Sequence, residues 1–191
     1  DFDSAISIDP EYALAHMHRG TSLIQLDEYD SAIIPLSTAI DLRYDYVEAF
    51  LNLGVAYYHL GDFDAALDYF NEALDFDSDN SEAYYNRSYV YAALRRPNDA
   101  LADINEVLSR QPNSVEAYMA RGTLYSAQGN NSAAIADFNR VIELDAYAGE
   151  AYHQRARARV ATNNVPDALA DYESALGLNP VDGSVYKGRA A

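Results

Sequence analysis

The sequence returns on itself every 34 residues without a gap, and a chain built this way has few folds open to it. Gly20, Gly54, Ser88, Gly122, Ala156 and Ala190 fall in one column. Ala32, Ala66, Ala100, Ala134 and Ala168 fill a second, and Ala15, Ala49, Ala83, Ala117 and Ala151 a third. Within one period, the stretch 47–78 carries two apolar stripes on either side of Gly61-Asp62. Phe50, Leu53, Gly54 and Tyr57 make the first stripe; Phe63, Ala66, Leu67, Phe70, Ala73 and Leu74 make the second. Spacings of three and four place each stripe on one face of a helix. Each period is therefore predicted to be a helix–turn–helix hairpin that buries its apolar faces against its neighbours.

A helical period of this length with these small and aromatic columns resembles the tetratricopeptide repeat family. The first aromatic column of that pattern holds Phe50, Tyr84, Tyr118, Tyr152 and Tyr186, with His16 departing from it. The next holds Tyr57, Tyr91 and Tyr125, with Leu23 and Arg159 departing. Leu36, Phe70, Ile104, Phe138 and Tyr172 occupy the family's Phe column. The closing Pro stands at Pro10, Pro112 and Pro180 and is replaced at Tyr44, Ser78 and Ala146. The resemblance covers the whole chain and implies an all-α, right-handed α-solenoid of stacked hairpins. One array over 1–191 is expected, in which 1–12 is the end of a preceding repeat. Five full repeats follow at 13–46, 47–80, 81–114, 115–148 and 149–182, and 183–191 starts another. Neither end carries a polar capping helix, so head-to-tail self-association through the end faces is an expected alternative to simple scaffolding.

Composition narrows the function. The net charge of −17 disfavours nucleic acid, whose phosphates would be repelled. That charge is uneven: residues 1–85 hold 18 carboxylates and 2 Arg, giving −16, while residues 86–191 hold 12 carboxylates and 11 cations, giving −1. With no Cys there is neither a disulfide nor a thiolate. No apolar run approaches the ~20 residues that span a bilayer, so no membrane insertion is expected. The four His do not converge, since His16 and His18 are two apart and diverge on a helix. Asp75, Asp77 and Asp79 imitate the start of a calcium loop, but Asn80 and Asn86 stand where it needs Gly and Glu. Nucleophile elbows and phosphate loops are missing as well. No metal, no cofactor, no catalytic set and no enzyme activity are expected. Asn86 and Asn130 each open an N-x-S triplet, and the turn position of Asn130 is the more accessible.

Local signals place the elements. Asp45/Glu48, Asp79/Glu82 and Asn113/Glu116 have capping-box spacing and are predicted to start first helices, which gives the Glu column a local cause; an acidic ladder on the groove rim is the other reading. Gly61-Asp62 and Gly129-Asn130 read as helix stop and next cap, and Pro97 as the first turn of a helix. Pro35 falls mid-way through a second helix, so a kink or break near Ala32–Pro35 is predicted. Arg87, Arg121 and Arg155 share one column and Asp103, Asp137 and Asp171 another, which predicts a repeated structural ion pair that fixes register.

In the tetratricopeptide family, first helices line a concave groove that binds extended or helical segments of protein partners. The resemblance maps that groove onto Asn52, Tyr58, His59, Tyr85, Asn86, Tyr89, Thr123, Gln154 and Arg157, with Met17, Leu51, Met119 and His153 in an adjoining column. Asn52 and Asn86 occupy a column that holds ligand backbone in the family. The clamp of Lys, Arg and Asn used by chaperone-binding members is mostly replaced here. Tyr58, Tyr85 and Tyr89 either anchor a ligand or pack between neighbouring first helices. The expected function is a protein–protein interaction scaffold for a peptide-like segment.

Overall fold

The computed structural model describes residues 2–178, and among them all regular structure is helical. Eleven helices follow one another: α1 (Phe2–Ile8), α2 (Ala13–Gln25), α3 (Tyr29–Leu42), α4 (Val47–Leu60), α5 (Phe63–Phe76), α6 (Ser81–Ala93), α7 (Pro97–Arg110), α8 (Val115–Ala127), α9 (Asn131–Leu144), α10 (Gly149–Ala161) and α11 (Val165–Leu178). The fold is thus an all-α array of helix hairpins of the α-solenoid class. The start of a further repeat expected at 183–191, with Tyr186, lies outside the described residues.

The chain divides into two compact units, Asp1–Asp103 and Ile104–Ala191. In the first, α2 packs on α3 and α4 on α5; α3 then packs on α4, and α5 on α6, so each second helix is shared with the next hairpin. In the second, α8 packs on α9, α9 on α10 and α10 on α11. First helices also touch their counterparts, α2 with α4, α4 with α6, and α8 with α10.

The columns explain the packing. Leu36, Leu53, Phe70 and Val90 form the buried centre of the first unit; Phe138, Val141 and Tyr172 are buried in the second. Each such side chain contributes roughly 1.5–3 kcal/mol by leaving water. The small column exists because the facing aromatic lies directly on it. A Cβ at Gly54 would sit 2.6 Å from Phe70 Cε1, and one at Gly122 2.7 Å from Phe138 Cε1.

Turn chemistry sets the hairpins. Gly61 ends α4 at φ +82°, and the Asp62 side chain accepts from the Ala65 N–H to start α5. Gly129 has φ +75°, and Asn130 caps α9 through the Ala133 N–H. Pro97 opens α7.

Two expectations are corrected. The first helices begin one residue later than capping boxes at Asp45, Asp79 and Asn113 require. Asn80 and Ser114 are the caps, accepting from the N–H groups of Ala83 and Ala117, and Tyr46 precedes α4 without a side-chain cap. Glu48, Glu82 and Glu116 therefore sit in the second helical position, where they meet the helix dipole rather than close a box. Asp45 instead bonds Arg43 Nε at 2.6 Å, and Asp77 gathers Asn80 Nδ2 and the Asp79 N–H into a turn. Second, of the kink or break expected near Pro35, the break does not occur: α3 continues through that residue. Buried Leu36, Ala39 and Ile40 follow it, and their packing holds the helix where local hydrogen bonding is one short.

Candidate functional site

In the first unit, the first helices present Asn52, Tyr58, His59, Tyr85, Asn86 and Tyr89. Asn52 Nδ2 donates to Thr21 Oγ1 at 2.9 Å, which ties α4 to α2. His59 lies face to face on Tyr29, ring centroids 4.2 Å apart, and Tyr58 packs edge-on to His59 and tilted against Phe63. The Tyr29 hydroxyl donates to Asp27 at 2.5 Å, and that bond raises the pKa of Tyr29 above its usual value. Tyr58 and His59 are thus engaged in packing at the hairpin turn. Tyr85 and Tyr89, one turn apart on α6, join their hydroxyls at 2.8 Å, and Tyr89 is 41% exposed. Asn86, the residue after Tyr85 on α6, is half-buried, and the Ser88 of its triplet is buried with its hydroxyl on the Tyr85 carbonyl.

The adjoining column is corrected. Met17, Leu51 and His153 are buried rather than groove-lining. Met17 and Leu51 join the core of the first unit, and His153 faces Tyr172 at 5.9 Å.

In the second unit, Thr123, Gln154 and Arg157 meet. Together with Ser126, Ala127, Asn131, Ala158 and Ala161 they line one cavity of about 410 Å3 between α8 and α10. The Thr123 hydroxyl donates back to the Met119 carbonyl at 2.8 Å. Gln154 Nε2 donates to Glu150 at 2.5 Å, and its Oε1 accepts from Arg157 Nη1 at 3.0 Å. The lining mixes alanine walls with a few polar groups and one exposed cation, Arg157.

The Arg and Asp columns lie side by side. Arg121 grips Asp137 with both arms, Nε to Oδ2 at 2.9 Å and Nη2 to Oδ1 at 2.8 Å. Arg87 does the same to Asp103 at 2.8 and 2.8 Å, and Arg155 to Asp171 at 2.9 and 2.5 Å. The fork geometry of the guanidinium matches a carboxylate in this bidentate way. Sequence reasoning missed the third member. The remaining arm of each Arg bonds an Asn sixteen residues earlier: Asn71 at 2.6 Å, Asn105 at 2.8 Å and Asn139 at 2.6 Å. The signal was present, because these Asn also recur every 34 residues. Each Arg so ties its own second helix to the one before it, with Tyr84, Tyr118 or Tyr152 stacked 5.4 Å away. The Asp partners hold Arg87 and Arg121 above the usual arginine pKa, against the pull of burial.

The first two repeats solve the same problem differently. Arg19 reaches back to Asp3 at 3.0 Å, in the Asn column. Leu53 and Tyr69 replace Arg and Asp, and Tyr69 stacks on Tyr57 at 5.3 Å within a cluster containing Tyr44, Phe50 and Phe76. Burial raises the pKa of the Tyr69 hydroxyl.

None of the described helices is long and apolar enough to cross a membrane. Among the described residues no group of His and carboxylates could hold a metal ion.

Comparison with known proteins agrees with this architecture. Family models described as tetratricopeptide repeat match residues 47–80 and 85–151, and one described as TPR repeat matches residues 20–61. No curated protein matches the sequence. Among solved structures, YrrB, described as a TPR protein with an unusual peptide-binding site, superimposes with TM-score 0.80 at 21% identity, over 100% of this chain and 98% of that one. MamA from Desulfovibrio magneticus RS-1 gives 0.81 at 17% identity, over 90% and 97%. TTC0263, a thermophilic TPR protein of Thermus thermophilus, gives 0.70 at 22% identity, over 93% and 97%. At these identities the likeness is one of fold. With the 34-residue columns, the hairpins and three matching family models in agreement, the chain belongs to the tetratricopeptide repeat family.

Proposed function

We propose that the chain is a protein-interaction scaffold that holds a peptide-like segment against the exposed faces of its first helices. Repeats of this family serve broadly as binding scaffolds rather than enzymes. The observation that carries the reading is the cavity between α8 and α10, where Thr123, Gln154 and Arg157 converge. A surface that only packed helices together would fill such a space; small side chains keep it open. The Tyr85–Tyr89 pair supplies a second, aromatic contact area of the kind that anchors interfaces.

Filling the cavity tests the reading. Ala127 is exposed and lines it, so Ala127→Trp should leave the helical spectrum unchanged and abolish capture of peptides selected from a random array on the parent chain. Undiminished capture would refute the groove. A second reading, association of copies through α1, rests on Phe2 at 41% and Ile8 at 85% exposure. Light scattering that stays monomeric at high concentration and low salt rules it out.

A further inference from the structure

We propose that the cavity between α8 and α10 seats the carboxylate of an Asp or Glu side chain, carried by a segment of the partner with no other negative charge. This rests on the groove reading above. The argument begins with the cations. The described residues from 104 to 178 include six Arg. Five pair with carboxylates: Arg110 with Glu106, Arg121 with Asp137, Arg140 with Glu143, and both Arg155 and Arg159 with Asp171. Among the described residues Arg157 pairs with no carboxylate, and its guanidinium meets the neutral Gln154 Oε1. Helix period explains the split on α10: Arg155 and Arg159 are four apart and share a face, while Arg157 is two from each and points away from it.

The other polar groups of the cavity are donors in waiting. The Asn131 amide and the Ser126 hydroxyl line it without a hydrogen bond to any described protein group. Glu150 is separated from Arg157 by the whole Gln154 side chain, so it orients the cation without neutralising it. The walls are Ala127, Ala158 and Ala161, which lower the local polarity and strengthen a charge-assisted bond above its value on an open surface. An anionic acceptor satisfies this set; a cation or an apolar side chain leaves it unpaired.

A side chain fits better than a chain terminus, because the lining contains no aromatic residue to wall off a passing segment. The segment must carry no further negative charge. One guanidinium meets one carboxylate, and the chain's net charge of −17 repels a polyanion.

The test uses an array of short random peptides, acetylated and amidated, probed with the full chain. The expected binders share one Asp or Glu. Replacing it by Asn or Gln weakens binding by about two- to fivefold in the parent chain, as for a partly exposed ion pair. The same replacement changes nothing in the Arg157→Gln variant, Arg157→Lys restores the preference in part, and Arg157→Glu favours the Lys-substituted peptide. Peptides that Ala127→Trp excludes but that are indifferent to the acid and to Arg157 overturn the carboxylate and leave the groove standing. Capture only by peptides with a free C-terminus overturns the side-chain source. An array with no binder, or binders that Ala127→Trp does not affect, overturns both readings.

Discussion

Replacing Arg121 by Leu asks how much one Arg–Asp–Asn clamp contributes. The variant leaves Asp137, which is 5% exposed, without its bidentate partner. An uncompensated buried carboxylate costs about 3–5 kcal/mol, and the lower end applies because 22% of the Arg121 side chain is already in water. Asn105 adds little, since it is exposed and water replaces its bond. For a chain of this size roughly 3 kcal/mol corresponds to a fall in melting temperature of about 6–12 °C. The protein carries its own control, because Leu53 and Tyr69 occupy the equivalent columns. Arg121→Leu combined with Asp137→Tyr copies that arrangement. Tyr125 stands where Tyr57 stacks on Tyr69, while Leu144 and Pro112 replace the surrounding Phe76 and Tyr44. The double variant should recover to within about 1 kcal/mol of the parent, short of it by the smaller aromatic cluster. Urea unfolding followed by far-UV circular dichroism, with comparable slopes required of all three proteins, measures both steps. A single variant within about 1 kcal/mol of the parent, or a double variant no better than the single, refutes the reasoning.

Gly122→Ala should destabilise by about 1–3 kcal/mol, because its Cβ would press on the fully buried Phe138 ring; an unchanged denaturation midpoint would show the ring can yield. Asn80→Ala should cost about 1 kcal/mol and Asn80→Gly only a few tenths, read by thermal melts, since the Asn80 side chain accepts from the Ala83 N–H at 2.9 Å; equal losses would mean the cap is not the cause. Tyr89→Ala should weaken capture of a selected peptide by roughly 1–3 kcal/mol with helicity intact, measured by fluorescence anisotropy; equal affinity would assign the Tyr pair to packing alone.

The hairpins were legible because period carries them. A column of Gly opposite a column of Phe requires two helices to cross closely at that point, and Gly54 with Phe70 does so. Boundaries were less legible. Asp79 and Asn80 are equally good caps on paper, and Asp45 is a better one than Tyr46; the helix begins where the buried Ala49 and Ala83 columns need it, which moves the start by one residue. Pro35 misled for a related reason. Local hydrogen bonding predicts a break, but the residues after it, Leu36, Ala39 and Ile40, are held by burial that a local rule does not contain.

At the candidate site, the 34-residue register already puts Arg155 in the ion-pair column, Arg157 on the expected groove face and Arg159 in the Tyr column, but it does not say which carboxylates each one meets. Geometry separates them by what each has already found. Asp171 takes two of them, because positions 155 and 159 overlie one another on the face turned toward α11. Arg157 keeps only a glutamine, although its charge reaches far enough to oppose the upward pull of burial on the Tyr172 hydroxyl. A net charge of −17 suggests a protein that rejects anions, yet a ligand within the cavity meets the local field and not the sum. At hydrogen-bond distance a guanidinium with no described carboxylate partner outweighs a net-charge field that decays over a Debye length of ~8 Å at physiological salt. The acidic surface then restricts which ligands approach, and Arg157 selects among those that arrive.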